Sequence, residues 1–150
     1  MRERGAFNYL PTHLHLNLDI IDDLRAFQSA GFLLLVITNQ SGVARGIYTE
    51  RHVQHFHRLL AHQLQMRGVV IDGFFYCPHH PSISKCLCRK PAPGLLLKAM
   101  AIHGIDPAAS LAFGDMDRDI EAARSAGIRR AFKVPSNPDS LRRYVAADHR

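Results

Sequence analysis

The chain has 150 residues, a length typical of one folded domain with a substantial core. Its composition, 47% hydrophobic and 21% charged, excludes a disordered chain, and no apolar run approaches the roughly 20 residues that span a bilayer. The net charge of +6 favours anionic partners, and phosphorylated metabolites are preferred over nucleic acid because the basic residues are scattered. No signal-peptide pattern follows Met1, which predicts a cytoplasmic protein that does not bind membranes.

Short apolar runs alternate with amphipathic helices along the chain. A first helix is predicted from its N-cap at Asn17 to Gly31, and the strand FLLLVI follows it. Thr49 caps a second helix that stops at Gly68. The later elements are, in order, the strand VVIDGFFYC, the helix PGLLLKAMAIHG, the strand SLAFGD, the helix DRDIEAARSAG, the strand RAFKV and the helix DSLRRYVAA. This order predicts a single α/β domain over residues 1–150, a three-layer, doubly wound, Rossmann-like parallel sheet with helices on both faces.

Polar residues follow three of the predicted strands. They are Thr38-Asn39-Gln40-Ser41, the segment that begins at Cys77, and Gly114-Asp115. Because ligands bind at the carboxyl ends of the strands in sheets of this kind, we expect these residues to converge on one site. The convergence predicts an enzyme.

The segment CPHHPSISKCLCRKP contains every cysteine of the chain. Cys77, His79, Cys86 and Cys88 form a Cys3His set, which is typical of a tetrahedral structural zinc site and leaves no open position for catalysis. His80 is the alternative fourth ligand. A Cys-x-Cys pair is too close for easy disulfide geometry, and without a Cys-x-x-Cys motif a redox role is disfavoured. We therefore predict a zinc-binding loop over residues 77–91, ordered by its metal.

Two stretches carry groups suited to a phosphoryl ligand. Thr38 ends a strand with a hydroxyl donor, although it is also an ordinary strand terminator. Arg89 and Lys90 follow the cysteines directly. The planar guanidinium of arginine can donate two hydrogen bonds to an anionic group, and the ammonium of lysine is a compact positive charge. The pair is also compatible with two basic side chains exposed to solvent.

The stretch FGDMDRD places carboxylates directly after an apolar strand. Asp115 is a candidate ligand of Mg²⁺, and Asp119 lies one helical turn later on the same face as a supporting residue. Asp117 is predicted to favour the start of the helix. The histidines without ligand spacing are predicted to lie on the surface: His13, His15, His52, His55, His57 and His62.

With these motifs assembled, the chain resembles the haloacid dehalogenase (HAD) superfamily, in the zinc-loop branch that contains D-glycero-D-manno-heptose 1,7-bisphosphate 7-phosphatase and histidinol phosphatase. The segments VITNQSGVARGIYTE, IDGFFYCPHH, CLCRKPAPGLLLKA and FGDMDRDIEAARSAGI occur in that family's order, and the resemblance covers roughly residues 2–134. It implies a cytoplasmic, monomeric, Mg²⁺-dependent phosphatase that acts on a small sugar phosphate through an aspartyl-phosphate. The heptose bisphosphate is preferred, and histidinol phosphate is the alternative.

The resemblance also implies the role of each candidate residue. Thr38 would hydrogen-bond the transferring phosphoryl group, Lys90 would neutralise it, and Asp115 would hold Mg²⁺, with Asp119 in support. The expected substrate contacts are Asn39, Gln40, Ser41 and Arg89. The expected ligands of the structural zinc are Cys77, His79, Cys86 and Cys88.

One part of the family pattern is missing from this sequence. Family members begin with a central strand that ends in Asp-x-Asp, whereas LDIIDD here has the wrong spacing and lies in a predicted helix. We therefore expect Met1 to be an internal or misassigned start, with roughly 10–20 further residues upstream, as a strand and its turn would need. The chain as given is expected to be inactive. The alternative is a non-catalytic phospho-ligand-binding remnant, completed by a strand from a partner.

Overall fold

The structure, a computed structural model, describes residues 10–79 and 86–148. All the predicted elements are present in the predicted order. They are α1 (Ile21–Ser29), β1 (Leu35–Asn39), α2 (Glu50–Gln65), β2 (Gly73–Cys77), α3 (Gly94–His103), β3 (Leu111–Gly114), α4 (Asp117–Ser125), β4 (Arg130–Lys133) and α5 (Arg142–Ala146).

The predicted helix ends are confirmed by the hydrogen bonds of their caps. The Asn17 side chain accepts the N–H of Asp19 at 3.1 Å and begins the 3-10 turn that leads into α1. The Thr49 hydroxyl accepts the N–H of His52 at 3.3 Å at the start of α2. Gly104 ends α3 at a φ of +64°, a conformation that a residue with a Cβ adopts at a cost.

Both early strands begin later than their apolar runs predict. FLLLVI becomes a strand only at Leu35, and VVIDGFFYC only at Gly73. The reason is a side chain that binds the backbone just before the ladder. The Asp72 carboxylate accepts the N–H of Leu34 at 2.8 Å, while the N–H of Asp72 donates to the Leu34 carbonyl at 2.8 Å.

The strands form two parallel pairs rather than one continuous sheet. β1 pairs with β2 from Leu35↔Gly73 to Asn39↔Cys77, and β3 pairs with β4 from Leu111↔Arg130 to Gly114↔Lys133. In the described part of the chain no strand lies between β1 and β3, and a cavity of about 820 Å³ borders both of them. This gap is the one expected from the absence of a central first strand.

Helices cover opposite faces of the β1–β2 pair. Phe74 points to α2, where its ring stacks on His57 with centroids 4.4 Å apart. Phe75 points to α3, where it packs with Leu95 and Ala99. Because successive side chains of a strand point to opposite faces, α2 and α3 lie on different sides, which confirms the α/β architecture.

Two hydrophobic clusters of the described region lie beside the β1–β2 pair and the segments that lead into it. One joins β2 to α3, and the other joins α1 to α2 through Ile21, Leu64 and Val69. The prediction that His57 lies on the surface is wrong, because its ring is only 7% exposed between α2 and β2. Among the described helices, none combines the length and the apolar character needed to cross a membrane.

Candidate active site

Four predicted residues border the same cavity at the carboxyl ends of β1 and β3. They are Thr38, Lys90, Asp115 and Asp119. Thr38 is the last residue but one of β1, and Asp115 directly follows β3. Lys90 lies in the loop after the cysteines, and Asp119 lies in the first turn of α4. The structure therefore brings together the residues that the sequence placed at three separate strand ends.

Lys90 is fixed from both its backbone and its side chain. The Asn39 amide holds the backbone, since its Oδ1 accepts the N–H of Lys90 at 3.1 Å and its Nδ2 donates to the Lys90 carbonyl at 3.4 Å. The ammonium group lies 2.5 Å from a carboxylate oxygen of Asp119 and donates to the carbonyl of Ile37 at 3.2 Å. The charge therefore borders the cavity, and both partners of the ion pair are largely shielded from solvent.

Asp119 reaches Lys90 because β3 ends in a glycine. A Cβ on Gly114 would lie 2.3 Å from the Cβ of Asp119, an approach that no larger residue permits. The second Asp119 oxygen accepts the N–H of Met116 at 3.1 Å and thereby closes the first turn of α4. Asp115 is exposed beside this turn and accepts a hydrogen bond from the Ser136 hydroxyl at 3.0 Å.

A chain of side-chain hydrogen bonds sets the position of the Thr38 hydroxyl. The Gln40 Nε2 donates to it at 3.2 Å, and the buried Tyr48 donates its hydroxyl to the Gln40 Oε1 at 2.6 Å. The ring of Tyr48 lies against the backbone of Gly42, where an added Cβ would meet it at 2.1 Å. Tyr48 was not among the residues predicted from the sequence, and its local signal is weak, because it is one aromatic residue in a loop that also contains Val43 and Ile47.

The other expected substrate contacts lie outside the cavity lining. The side-chain amide of Asn39 is hydrogen-bonded to the backbone of Lys90. Ser41 is half-buried, and its carbonyl accepts the N–H of Arg45 at 3.3 Å. Arg89 has a buried Nη1 that makes no hydrogen bond among the described residues. A buried, unpaired guanidinium nitrogen is energetically costly.

The predicted zinc ligands form one cluster. Cys77, His79, Cys86 and Cys88 each offer a donor atom, and all four atoms lie within 4.8 Å of one another. The Sγ of Cys88 lies 2.8 Å from that of Cys77 and 3.3 Å from that of Cys86, and the Nδ1 of His79 lies 3.3 Å from the Sγ of Cys88. All three cysteines are free of disulfide bonds.

The donor set fits a tetrahedral zinc ion. Zn–S bonds of about 2.3 Å place thiolates about 3.8 Å apart, so the cluster needs only a small expansion to hold the metal. His80 falls outside the described residues, so the choice between the two histidines stays a prediction.

The three thiols do not ionise equally. Burial opposes ionisation of Cys86, but hydrogen bonds from Cys88, Cys77 and the backbone outweigh it and lower its pKa to about 6. Burial and the neighbouring thiols raise the pKa of Cys88 to about 12, and burial also raises that of Cys77. The cluster by itself favours one thiolate, whereas a divalent cation would stabilise three.

The chain is similar to proteins of one phosphatase family. A family model described as "HAD-hyrolase-like" matches residues 87–133. The chain is 44% identical over 115 residues to D-glycero-beta-D-manno-heptose-1,7-bisphosphate 7-phosphatase of Yersinia pestis, a match that covers 73% of this chain and 61% of the relative. It is 39% identical over 142 residues to the corresponding alpha-heptose enzyme of Photorhabdus laumondii, covering 87% of this chain and 78% of that protein.

Solved structures give the same result. The D,D-heptose 1.7-bisphosphate phosphatase of B. bronchiseptica, complexed with magnesium and phosphate, has a TM-score of 0.81 at 29% identity and covers 99% of this chain and 80% of its own. A putative HAD-like phosphatase of Mesorhizobium loti has a TM-score of 0.79 at 29% identity, covering 84% of this chain and 63% of that one. The chain spans about 60% of the length of the first curated relatives it matches. It belongs to the HAD-like phosphatase family that contains the heptose 1,7-bisphosphate phosphatases.

Proposed function

We propose that this chain forms the phosphate- and metal-binding part of a magnesium-dependent phosphomonoester hydrolase whose substrate is a small sugar phosphate. The preferred substrate is D-glycero-D-manno-heptose 1,7-bisphosphate, which would lose its 7-phosphate, as the names of the relatives suggest. The observation that carries the proposal is that Thr38, Lys90 and Asp115 border one cavity.

The chain's own groups suit a phosphoryl oxygen in different ways. The Thr38 hydroxyl accepts a hydrogen bond from Gln40 and donates to the carbonyl of Asn39 at 3.3 Å. It would turn this proton to a phosphoryl oxygen when the ligand binds. The Lys90 ammonium would supply the positive charge, and its ion pair with Asp119 holds it beside the cavity. Fixed donors of this kind bind developing charge without having to reorganise.

Asp115 fits one ligand position of Mg²⁺. Its carboxylate is exposed beside the cavity, with one oxygen bound to the Ser136 hydroxyl, and Mg²⁺ typically combines one or two carboxylates with waters and substrate phosphate. When bound, the ion would neutralise charge on the phosphoryl oxygens. Arg89 is the proposed contact for a second anionic group of the substrate, although it lies outside the lining of this cavity and its Nη1 is buried.

The cysteine loop would hold a structural zinc ion that positions the Arg89–Lys90 pair. Cys88 is adjacent to Arg89, and Gly94 donates its N–H to the Leu87 carbonyl at 3.0 Å, which ties the loop to the start of α3. Four protein ligands leave the zinc no open position, so its contribution is the order of the loop.

Family members carry an Asp-x-Asp motif at the end of their first strand. Among the described residues, the acidic stretch LDIIDD does not replace it. Asp19, Asp22 and Asp23 all lie outside the cavity lining, and Asp23 is buried against the start of α5. We therefore propose that the chain as given binds phosphate and Mg²⁺ but does not turn over substrate. Histidinol phosphate is the alternative substrate, and a non-catalytic phospho-ligand binder is the alternative function.

The test is binding and turnover measured on the same purified chain. Isothermal titration with inorganic phosphate should show binding that requires Mg²⁺, and the heptose bisphosphate should compete better than histidinol phosphate. Release of phosphate from either ester should stay at background. Turnover well above background would contradict the inactivity, and absence of Mg²⁺-dependent binding would contradict the proposed site.

Two lysine variants provide the control. Lys90→Ala should weaken phosphate binding by about tenfold or more, because a charge-assisted hydrogen bond contributes about 1.5–3 kcal/mol. Lys98→Ala removes the same charge from an exposed position on α3 and should leave binding unchanged.

A further inference from the structure

The outward face of α2 carries a basic ridge, a row of four exposed side chains at spacings of four, three and four residues. Its members are Arg51, His55, Arg58 and His62. Because an α-helix has about 3.6 residues per turn, this spacing places them in one line along the helix axis. The buried residues Val53, His57 and Leu64 lie on the opposite side of the helix. The ridge is therefore the part of α2 that faces away from the rest of the fold.

The basic ridge has no acidic partner in the described part of the chain. None of its four side chains makes a hydrogen bond or an ion pair among the described residues, whereas Arg25, Arg130 and Arg142 all pair with carboxylates. The one acidic residue of α2 is Glu50, and its carboxylate accepts the hydroxyl of Tyr76 at 2.9 Å. The positive charge of the ridge is thus available to a ligand.

The ridge suits an anion better than a metal ion. Guanidinium groups repel cations, and along the row they alternate with the imidazoles that would otherwise be ligands. His55 and His62 are seven residues apart, about 10 Å along the axis, which is too far to share one ion. An imidazole donates an N–H to a carboxylate even when it is neutral. Arg51, His55 and Arg58 also border a cleft of about 320 Å³, which leaves room for anionic oxygens beside them.

A single straight row matches an acidic helix better than it matches other anionic polymers. At a rise of about 1.5 Å per residue the ridge is about 16 Å long, and carboxylates at the same 4-3-4 spacing on a second helix stay in step with it. In an extended acidic peptide the side chains of one face recur every roughly 6.6 Å and fall out of step. A nucleic acid would find no aromatic platform for its bases, since no phenylalanine or tyrosine of α2 is exposed.

Met66 adds an apolar contact at one end of the ridge. It lies four residues after His62 and is 72% exposed. Apolar anchors of this kind supply much of the binding energy of interfaces whose rims are charged. A second copy of this chain does not supply the matching acidic row. On α4, for example, the exposed row of Asp117 and Glu121 ends at Arg124, and no other described helix carries more than two exposed carboxylates in line.

We propose that the basic ridge of α2 docks an acidic α-helix of another protein, which carries aspartate or glutamate in a 4-3-4 row and an apolar residue one turn beyond it. Charges at a solvent-exposed surface speed the encounter and fix the register of the two helices, and salt weakens their attraction. No residue of the ridge lines the cavity that holds Thr38 and Lys90. The proposal is therefore independent of the phosphatase function and is tested without substrate.

The probe is a synthetic peptide of twenty residues, rich in alanine and glutamine and stapled into a helix, with four glutamates in the 4-3-4 row and a leucine one turn beyond. The control peptide has the same composition, with its glutamates spread around the helix. Fluorescence anisotropy at low salt should show that the row peptide binds at least tenfold more tightly, and added salt should weaken its binding. Equal affinities of the two peptides, or no binding of either, would overturn the proposal.

A pair of double variants locates the contact. Arg51→Gln with Arg58→Gln should weaken binding of the row peptide by about tenfold, because two of the four ridge charges are lost. Arg124→Gln with Arg129→Gln removes the same charge from exposed positions elsewhere and should change the affinity by less than about twofold. Equal losses in the two double variants would show that net charge alone attracts the peptide, and this would overturn the proposal.

A single-stranded oligonucleotide supplies the remaining outcome. It should bind more weakly than the row peptide at the same salt concentration. Tighter binding of the oligonucleotide that is lost with Arg51 and Arg58 would assign the ridge to nucleic acid and would also overturn the proposal.

Discussion

The carboxylate of Asp23, in α1, accepts the backbone N–H of Leu141 at 2.6 Å, although the two residues are 118 positions apart. The same carboxylate accepts the N–H and the Nε of Arg142 at 3.2 and 2.6 Å and the hydroxyl of Ser140 at 3.2 Å. Asp23 therefore caps α5 from a distant helix. Burial opposes its ionisation, but these hydrogen bonds outweigh burial and lower its pKa.

We expect Asp23→Asn to destabilise the fold by about 1–3 kcal/mol, because a buried donor loses its charged acceptor. A lowered pKa stabilises the folded state above the unfolded pKa near 3.8, and that contribution is lost as the pH falls through the folded value. The free energy of unfolding of the variant should therefore be lower than that of the parent at pH 7, and the two values should converge in strong acid. Urea unfolding at several pH values measures both effects.

Asp22→Asn is the matched control for this prediction. Asp22 is exposed and pairs with Arg25 at 3.7 Å, and exposed ion pairs contribute little. It should leave the free energy of unfolding within about 0.5 kcal/mol of the parent. Equal losses in the two variants would show that the cap on α5 does not stabilise the chain.

A second prediction concerns His57, which is buried against Phe74. Burial lowers its pKa from 6.5 to about 4, so the unfolded chain binds a proton that the folded chain excludes. Stability should consequently fall as the pH drops from 6.5 towards 4, by about 3 kcal/mol in total if the full difference applies.

His57→Phe keeps a ring on Phe74 and removes the titration. It should reduce the loss of stability between pH 7 and pH 4, whereas His55→Phe, at an exposed position of the same helix, should not. The measurement is the midpoint of denaturant unfolding across that pH range. An unchanged pH profile in His57→Phe would exclude His57 as the cause.

A third prediction tests the metal cluster. Cys88→Ser removes the sulfur that lies nearest to both other thiols, and we expect zinc, measured by elemental analysis after dialysis, to fall from about one ion per chain to a small fraction of that. Loss of zinc should also weaken phosphate binding, because Arg89 and Lys90 follow Cys88 directly. Binding of phosphate that persists at full strength in zinc-free Cys88→Ser would separate the two sites.

The two histidine variants resolve the fourth ligand. His79→Asn should lose zinc, and His80→Asn should retain it, because the Nδ1 of His79 already lies 3.3 Å from the Sγ of Cys88. The reverse result would assign the ligand to His80.

Local patterns predicted the elements and the residues at strand ends well. The Thr49 cap, the Gly104 stop and the convergence of Thr38, Lys90 and Asp115 depend on short-range chemistry and on the geometry of parallel strands, both of which can be read from spacing. The Cys3His cluster was predictable for the same reason, because its four residues lie within twelve positions of one another.

Long-range partners could not be read from spacing. Nothing near Asp23 indicates that its carboxylate binds α5, and His57 has the polar neighbours of a surface residue although tertiary packing buries it. The delayed start of β1 likewise depends on Asp72, 38 residues later than Leu34. Such pairings are decided by tertiary contacts that override local propensity.

The last prediction concerns Tyr48, whose hydroxyl is linked to Thr38 through the side chain of Gln40. Tyr48→Phe removes the hydroxyl that donates to Gln40 at 2.6 Å and leaves the ring on Gly42 in place. Gln40 then loses the contact that orients its amide towards Thr38. We expect Mg²⁺-dependent phosphate affinity to fall about fivefold, which corresponds to the roughly 1 kcal/mol of a typical hydrogen bond.

Tyr76→Phe supplies the comparison. Tyr76 lies opposite Thr38 in β2, but its hydroxyl donates to Glu50 at 2.9 Å and accepts from Gln54 at 3.5 Å rather than bonding to Thr38 or Gln40. It should leave phosphate affinity unchanged. Gln40→Ala should reproduce the effect of Tyr48→Phe, and the double variant should bind no more weakly than Gln40→Ala alone, since both changes break one chain of hydrogen bonds. Additive losses in the double variant would show that Tyr48 influences the site by another route, such as the packing of its ring on Gly42.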